Sequence, residues 1–271
     1  MEPAALGTGL AAGGALMSLA DIAGRVALDT MAVTADQVAR LAQATEAELQ
    51  GYAQACREYC EAIPAEHLVG NLSGQLALHH LIVIPALQQV LKGGDRVLDF
   101  ACGIGRVTKL ALEVFSCRTV GVDVSRTALA RAAQILPGAA FVVIPGDGSL
   151  PFPPESFDVV VSTIALQHLQ FFPVRHRYFQ EFARVLRPDG RLLVQLNGDD
   201  SGKHTAWFER GDPTSYAGPG DVVCHETEIQ AYLPAVGFYV EKLWRTEMDT
   251  TAVSWERRER GRVDGWLWAH A

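Results

Sequence analysis

The chain has 271 residues, a formal net charge of −8, 49% apolar and 20% charged residues, a composition of globular rather than disordered proteins. At 29.3 kDa folding is expected to bury roughly 73% of the exposed area, and about 150 residues per domain leaves one large α/β domain or two small ones. The acidic balance argues against nucleic-acid binding, which needs a positive surplus, and the absence of a long apolar run argues against a membrane-spanning helix. Five cysteines without paired metal-ligand spacing predict a reducing, cytoplasmic setting with neither a disulfide scaffold nor a metal site.

The first thirty residues are rich in Ala and Gly, and Leu6 to Ala20 is nearly uncharged. No Lys or Arg precedes that stretch and Glu2 has the wrong sign for a secretion signal, so a helical or mobile extension is the expectation. Thr34 and Gln37 fit a capping box. Val38, Leu41, Thr45, Leu49, Tyr52, Cys56, Tyr59 and Ile63 then recur at the spacing of one helix face. A second helical stretch runs from about Leu72 to Ile84, and Pro85 restarts a helix from its first turn.

From Arg96 the period changes. Short apolar runs at Val97-Leu98, Thr119–Val122, Phe141–Ile144, Phe157–Val161 and Arg191–Leu196 have the length and composition of buried parallel strands. Helical patterns at Val107–Phe115, Thr127–Leu136 and Val174–Leu186 fill the intervals, which reads as βαβ units and a doubly wound sheet. Ser201 to Gly220 reads as a Gly/Pro-rich loop, followed by a helix at Glu226–Val236 and a strand at Phe238–Trp244.

The strongest chemical signal is Val97-Leu98-Asp99-Phe100-Ala101-Cys102-Gly103-Ile104-Gly105-Arg106. An apolar strand ends in a carboxylate and a small-residue turn leads into a helix. Gly103 and Gly105 let backbone amides approach a ligand. A dinucleotide fingerprint wants Gly or Ala three residues after Gly105, where this chain has Thr108. Asp99 would also repel a pyrophosphate, and it suits the amino end of a different nucleotide. About twenty residues on, Val120-Gly121-Val122-Asp123 ends a second strand in an acid that can accept ribose hydroxyls. Asp147, after a third strand, could accept from an exocyclic amine. Each acid alone is an ordinary turn residue; three at successive strand ends make a single site at the carboxyl edge of a sheet.

These pieces resemble class I S-adenosylmethionine-dependent methyltransferases, of the small-molecule and secondary-metabolite group. The matching stretches are LDFACGIGR (98–106), VGVDVS (120–125), GDGSLPFPPESFDVVVS (146–162), ALQHL (165–169) and VLRPDGRLLV (185–194). The resemblance implies a Rossmann-like, seven-stranded, mostly parallel sheet with its last strand antiparallel and an N-terminal helical lid. One methyltransferase domain would fill the chain, with residues 1–90 as extension or lid, 91–200 as cofactor core and 201–271 as inserted loop and end of the sheet. S-adenosylmethionine is the implied cofactor. Asp99, Gly103 and Gly105 would hold its methionine part, with Ala101 and Cys102 among the cofactor-binding residues of the same turn, Asp123 at the ribose, Val124 on the adenine face, and Asp147 with Gly148 at the adenine edge. The family usually has Gly where this chain has Ala101, which predicts slight crowding there.

The acceptor implied is a small molecule, methylated at a hydroxyl or a carbon. No Asn/Asp-Pro-Pro-Tyr and no Pro-Cys nucleophile follows the fourth strand, so the family patterns for methylating nucleic-acid bases are missing. His168, just past that strand, is the candidate general base or acceptor-positioning group, against the plainer reading that it holds a turn. His79, His80 and His225 are weaker candidates. Cys102 reads as a small buried filler, and the arginines at 257–262 as a solvated face. Tyr52, Tyr59, Trp207, Phe208 and Tyr216 fall in segments that would wall an acceptor pocket or form a private core. The rival reading is a cofactor-binding scaffold, or a pathway enzyme that keeps the pocket for a non-methylating reaction.

Overall fold

A computed structural model of the protein describes residues 34–64, 83–197, 205–216, 222–224, 226–247 and 263–270. The extension at 1–30, the helical stretch up to residue 82, His79, His80, His225 and the arginines at 257–262 lie outside those residues.

Thr34 opens helix α1 (Ala35–Leu41). Its hydroxyl accepts from the Gln37 amide at 3.2 Å, and the Gln37 side chain accepts from the Thr34 amide at 2.7 Å. The continuous helix expected across 38–63 is instead two. Thr45 caps α2 (Glu46–Ala62) through a second reciprocal box with Glu48, at 2.8 and 3.2 Å. The Thr-x-x-Glu signal was overlooked because Thr45 also falls on the apolar spacing. Helix α3 (Ile84–Val90) carries Pro85 in its first turn, where its missing N–H costs nothing.

Five strands alternate with three helices in the middle of the chain: β1 (Arg96–Phe100), α4 (Arg106–Glu113), β2 (Arg118–Asp123), α5 (Arg126–Ile135), β3 (Ala140–Val143), β4 (Phe157–Ser162), α6 (Phe172–Val185) and β5 (Leu186–Asn197). They form a parallel sheet in the order β3-β2-β1-β4-β5. The chain therefore reverses direction between β1 and β4, the place where doubly wound sheets bind ligands. Downstream come β6 (Thr205–Ala206), β7 (Val222–Val223), α7 (Glu226–Tyr232), β8 (Tyr239–Glu247) and β9 (Val263–His270). Strand β9 runs antiparallel between β5 and β8. The described sheet has nine strands rather than seven, because two-residue β6 and β7 form in the segment read as a loop and extend the far end of β5 at Asn197↔Val223.

Period-two alternation divides the core. Leu98, Val160, Leu192 and Val194 join one cluster, with Phe179 and Phe182 of α6 and Ile229 and Tyr232 of α7. Val97, Val159, Val161 and Leu193 join the other, with α3 and α4. A strand buried on both faces reads as a continuous apolar run, as these do. Phe100 packs edge-on against Tyr178 and Phe182 at 4.6 and 5.0 Å between ring centroids. Trp207 is fully buried against Phe179 and Tyr232. Strand β5 begins with an irregularity: its register against β4 shifts between Phe157 and Val159, and Asp189 sits at φ 65°. The regular ladder starts at Arg191.

Candidate active site

Parallel strands all end on one edge, so acids at strand ends converge. Asp99 is the penultimate residue of β1, Asp123 ends β2 beside it, and Asp147 lies four residues beyond the end of β3. All three are buried. The Asp99 carboxylate accepts the Thr108 hydroxyl at 2.6 Å. Burial pushes its pKa up to about 7, Thr108 pulls it back through hydroxyl and backbone bonds, Asp123 adds repulsion and Arg106 attraction. Thr108, noted in the sequence only as the wrong residue for a dinucleotide loop, is therefore the partner of Asp99.

Asp123 ties the glycine turn to β2. Its two oxygens accept the amides of Gly103 and Ser125, each at 2.9 Å, and burial raises its pKa against those bonds. Both oxygens keep lone pairs for further donors. Asp147 is pushed up by burial, but the Ser149 hydroxyl and amide, Arg177 and Gln50 outweigh that and hold it below the usual range. Its Oδ1 accepts from Ser149 at 2.6 and 2.9 Å, and its Oδ2 from the Gln50 amide at 3.3 Å.

The turn between β1 and α4 is built for close approach. Gly105 is left-handed at φ 84° and starts α4, and a Cβ there would lie 3.3 Å from Leu136 and Phe141. Gly121 on β2 leaves room for the turn itself: a Cβ would come within 2.8 Å of the Cys102 sulfur and the Phe141 ring. Cys102 is a buried filler, as expected; burial raises its thiol pKa. Ala101 departs from the expectation of mere crowding. It sits at φ 56°, a conformation that costs an L-residue about 1–2 kcal/mol, so the backbone is what favours Gly at this position. Val124 lies against Gly146, whose added Cβ would meet its Cγ1 at 3.3 Å, and Ala53 of α2 closes the same spot. Gly148 is left-handed at φ 94°, and a Cβ there would collide with the Cβ of Arg177 at 2.5 Å. His168 ends the short turn Leu166–His168 after β4, half-buried on the same edge.

Sequence reasoning missed the part played by α2. Gln50 reaches Asp147, Arg57 donates to the Pro145 carbonyl, and Glu61 accepts from the Arg126 amide and the Thr127 hydroxyl, each at 2.5 Å. Positions 50, 57 and 61 lie along one helical line beside the apolar stripe. That polar line was the available signal.

Carboxylates at or just beyond the ends of three adjacent strands, with a glycine turn after the first, lie on the edge where doubly wound sheets can take a ligand. Residues 98–194 match the family described as "Methyltransferase domain". S-adenosylmethionine is the cofactor of that family. The chain is 32% identical over 106 residues to 2-methyl-6-phytyl-1,4-hydroquinone methyltransferase of Synechocystis, covering 38% of this chain and 32% of that protein. It is 33% identical over 110 residues to 27-O-demethylrifamycin SV methyltransferase of Amycolatopsis mediterranei, covering 38% and 39%. The chain thus spans less than half the length of these relatives. Among solved structures, a SAM-dependent methyltransferase of Methanosarcina mazei superposes with TM-score 0.54 at 21% identity, over 69% of this chain and 96% of that one. The (4+2)-cyclase SpnF superposes with TM-score 0.58 at 20% identity, over 74% and 83%. Both share the fold alone.

Proposed function

We propose that the protein transfers the methyl group of S-adenosylmethionine to a small-molecule acceptor, at a hydroxyl oxygen or a carbon. The observation that carries this reading is that Asp99, Asp123 and Asp147 follow one another along a single sheet edge, with Asp123 bonded to the Gly103 amide of the turn after β1. Asp99, Gly103 and Gly105 would hold the methionine part, with Ala101 and Cys102 lining the same turn, Asp123 the ribose hydroxyls, Val124 an adenine face, and Asp147 with Gly148 the adenine edge. The cofactor, when bound, supplies an activated methyl group on a sulfonium. The chain's own residues then have to position the acceptor and exclude water.

An acceptor hydroxyl has a proton to lose, and His168 is our choice to take it or to orient the hydroxyl, because it follows β4 on the site edge and imidazole titrates near neutral pH. The two named relatives act on a hydroquinone and a rifamycin, which supports a metabolite over a nucleic acid or a membrane. The chain reads as a single methyltransferase domain of secondary metabolism, residues 1–90 being extension and lid, 91–200 the cofactor core and 201–271 the inserted loop and end of the sheet. It works without a metal, and its five buried cysteines, none of them in a disulfide, suit the cytoplasm. The non-methylating alternative is not favoured, since these relatives are both methyltransferases.

The test is incubation with methyl-labelled S-adenosylmethionine and pools of hydroxylated metabolites, with products read by mass spectrometry. A labelled product is expected; a protein that binds the cofactor yet labels nothing in any pool would overturn methyl transfer. With an acceptor in hand, His168→Ala should lower kcat about 10²–10⁴-fold at constant cofactor affinity if His168 is the base. His168→Asn should stay active only if His168 orients. Wild-type turnover in both variants would make it structural.

A further inference from the structure

Arg175, in the first turn of α6, is fully buried. Its guanidinium donates to the Leu169 carbonyl and, at 2.6 Å, to the Trp207 carbonyl. It lies over the Phe172 and Trp207 rings at 5.4 and 4.7 Å. Among the described residues no carboxylate faces it: its electrostatic neighbours are Tyr52, Tyr232 and Cys224, all ordinarily neutral. Carbonyls satisfy donors without cancelling charge, and a buried, uncompensated cation is costly. Burial accordingly lowers its pKa to about 10. Two of its five N–H donors are engaged with described residues, and among the described residues the Nε–H meets no partner. A guanidinium with Nε free retains the fork that grips a carboxylate bidentately.

Its position gives that fork a purpose. Leu169 follows the turn after β4, Trp207 follows β6, and Tyr52 comes from α2, which also holds Asp147 through Gln50. These are the segments expected to wall the acceptor. We propose that Arg175 is the specificity-determining residue for the acceptor and that the acceptor carries an anionic oxygen group, a carboxylate in the first instance, on an aromatic or otherwise flat frame. The proposal rests on the small-molecule reading above and deepens it. The acceptor's anion neutralises the guanidinium, and the flanking Phe172 and Trp207 faces exclude water from the pair. The guanidinium is fully buried with Tyr52 of α2 among its neighbours, so admitting the anion requires α2 to move.

The experiment measures binding, so it does not depend on turnover. Full-length protein with S-adenosylhomocysteine is titrated with benzoate and with its neutral twin benzamide at millimolar concentration, and affinity is read by ligand-observed NMR. Benzoate is expected to bind about ten- to hundredfold more tightly than benzamide. Arg175→Met should abolish that preference while leaving S-adenosylhomocysteine affinity unchanged. Arg175→Lys keeps the charge but not the fork and should weaken benzoate with the fold intact, which covers the case in which Arg175→Met does not fold. Equal binding of the two probes, binding of neither, or a preference that survives both substitutions would overturn the proposal and leave Arg175 as a tie between Leu169 and Trp207. Failed methyl labelling beside intact benzoate selectivity would instead count against methyl transfer alone.

Discussion

Asp99 shows how burial and binding pull one carboxyl in opposite directions. Its pKa of about 7 lies above the unfolded value of 3.8, so the folded, cofactor-free protein binds this proton more tightly than the unfolded chain. That contribution is fully present below about pH 4 and is lost as pH rises through 7. An ammonium at the same site favours the ionised form. Affinity for S-adenosylhomocysteine is therefore expected to rise between about pH 6 and 8, with a proton released on binding near pH 7. Calorimetry in two buffers of different protonation enthalpy reads this directly, and Asp99→Asn should flatten the profile. Affinity independent of pH, with no proton released, would take Asp99 off the amino end. At Ala101 the argument is steric. With φ at 56°, Ala101→Gly removes the left-handed cost but makes the unfolded chain freer, for a net gain of about 0.5–1 kcal/mol. Urea unfolding should show a higher midpoint at unchanged slope; a lower midpoint would mean the alanine methyl makes contacts worth more than the strain.

At the scale of elements, α2 is the part whose role depends on its neighbours. Its apolar side buries Leu49, Tyr52, Ala53, Cys56 and Cys60, and its polar line grips the loops after β2 and β3 through Glu61, Arg57 and Gln50. Glu61 also caps α5 from outside, accepting the Arg126 and Thr127 amides; its carboxyl is held low by the Thr127 hydroxyl, against a desolvation penalty. A negative charge at a helix start is favourable. A helix bound to both loops should tighten when those loops hold a ligand. Amide exchange across 46–62 is expected to slow when S-adenosylhomocysteine is added. Unchanged exchange there, with slowed exchange at 99–105, would mean α2 is a fixed part of the wall and not a lid.

At the scale of the molecule, the βαβ core was legible because local and global demands agree in it. Strands such as Val97–Phe100 and Val159–Val161 are apolar on both faces, and the acids that end β1 and β2 mark where each strand stops. The two clusters on either side of the sheet follow from that alternation. Other features needed partners remote in sequence. The break at Thr45 was hidden because one residue served two patterns. Strands β6 and β7 exist through the ladder at Asn197↔Val223, which two-residue segments do not announce. Nothing in the pattern of α6 marks Arg175, which packing against Phe172 and Trp207 turns into a buried cation.

By itself, then, the sequence determined the strand order's raw material, the glycine turn and the three acids, because each is encoded within about ten consecutive residues by period, size and charge. Tertiary structure alone decided which of those acids is hard to ionise, where α2 lies, and which cation is buried. Those depend on how much water and which dipoles surround a group, and burial is a property of the whole assembly of elements rather than of any segment.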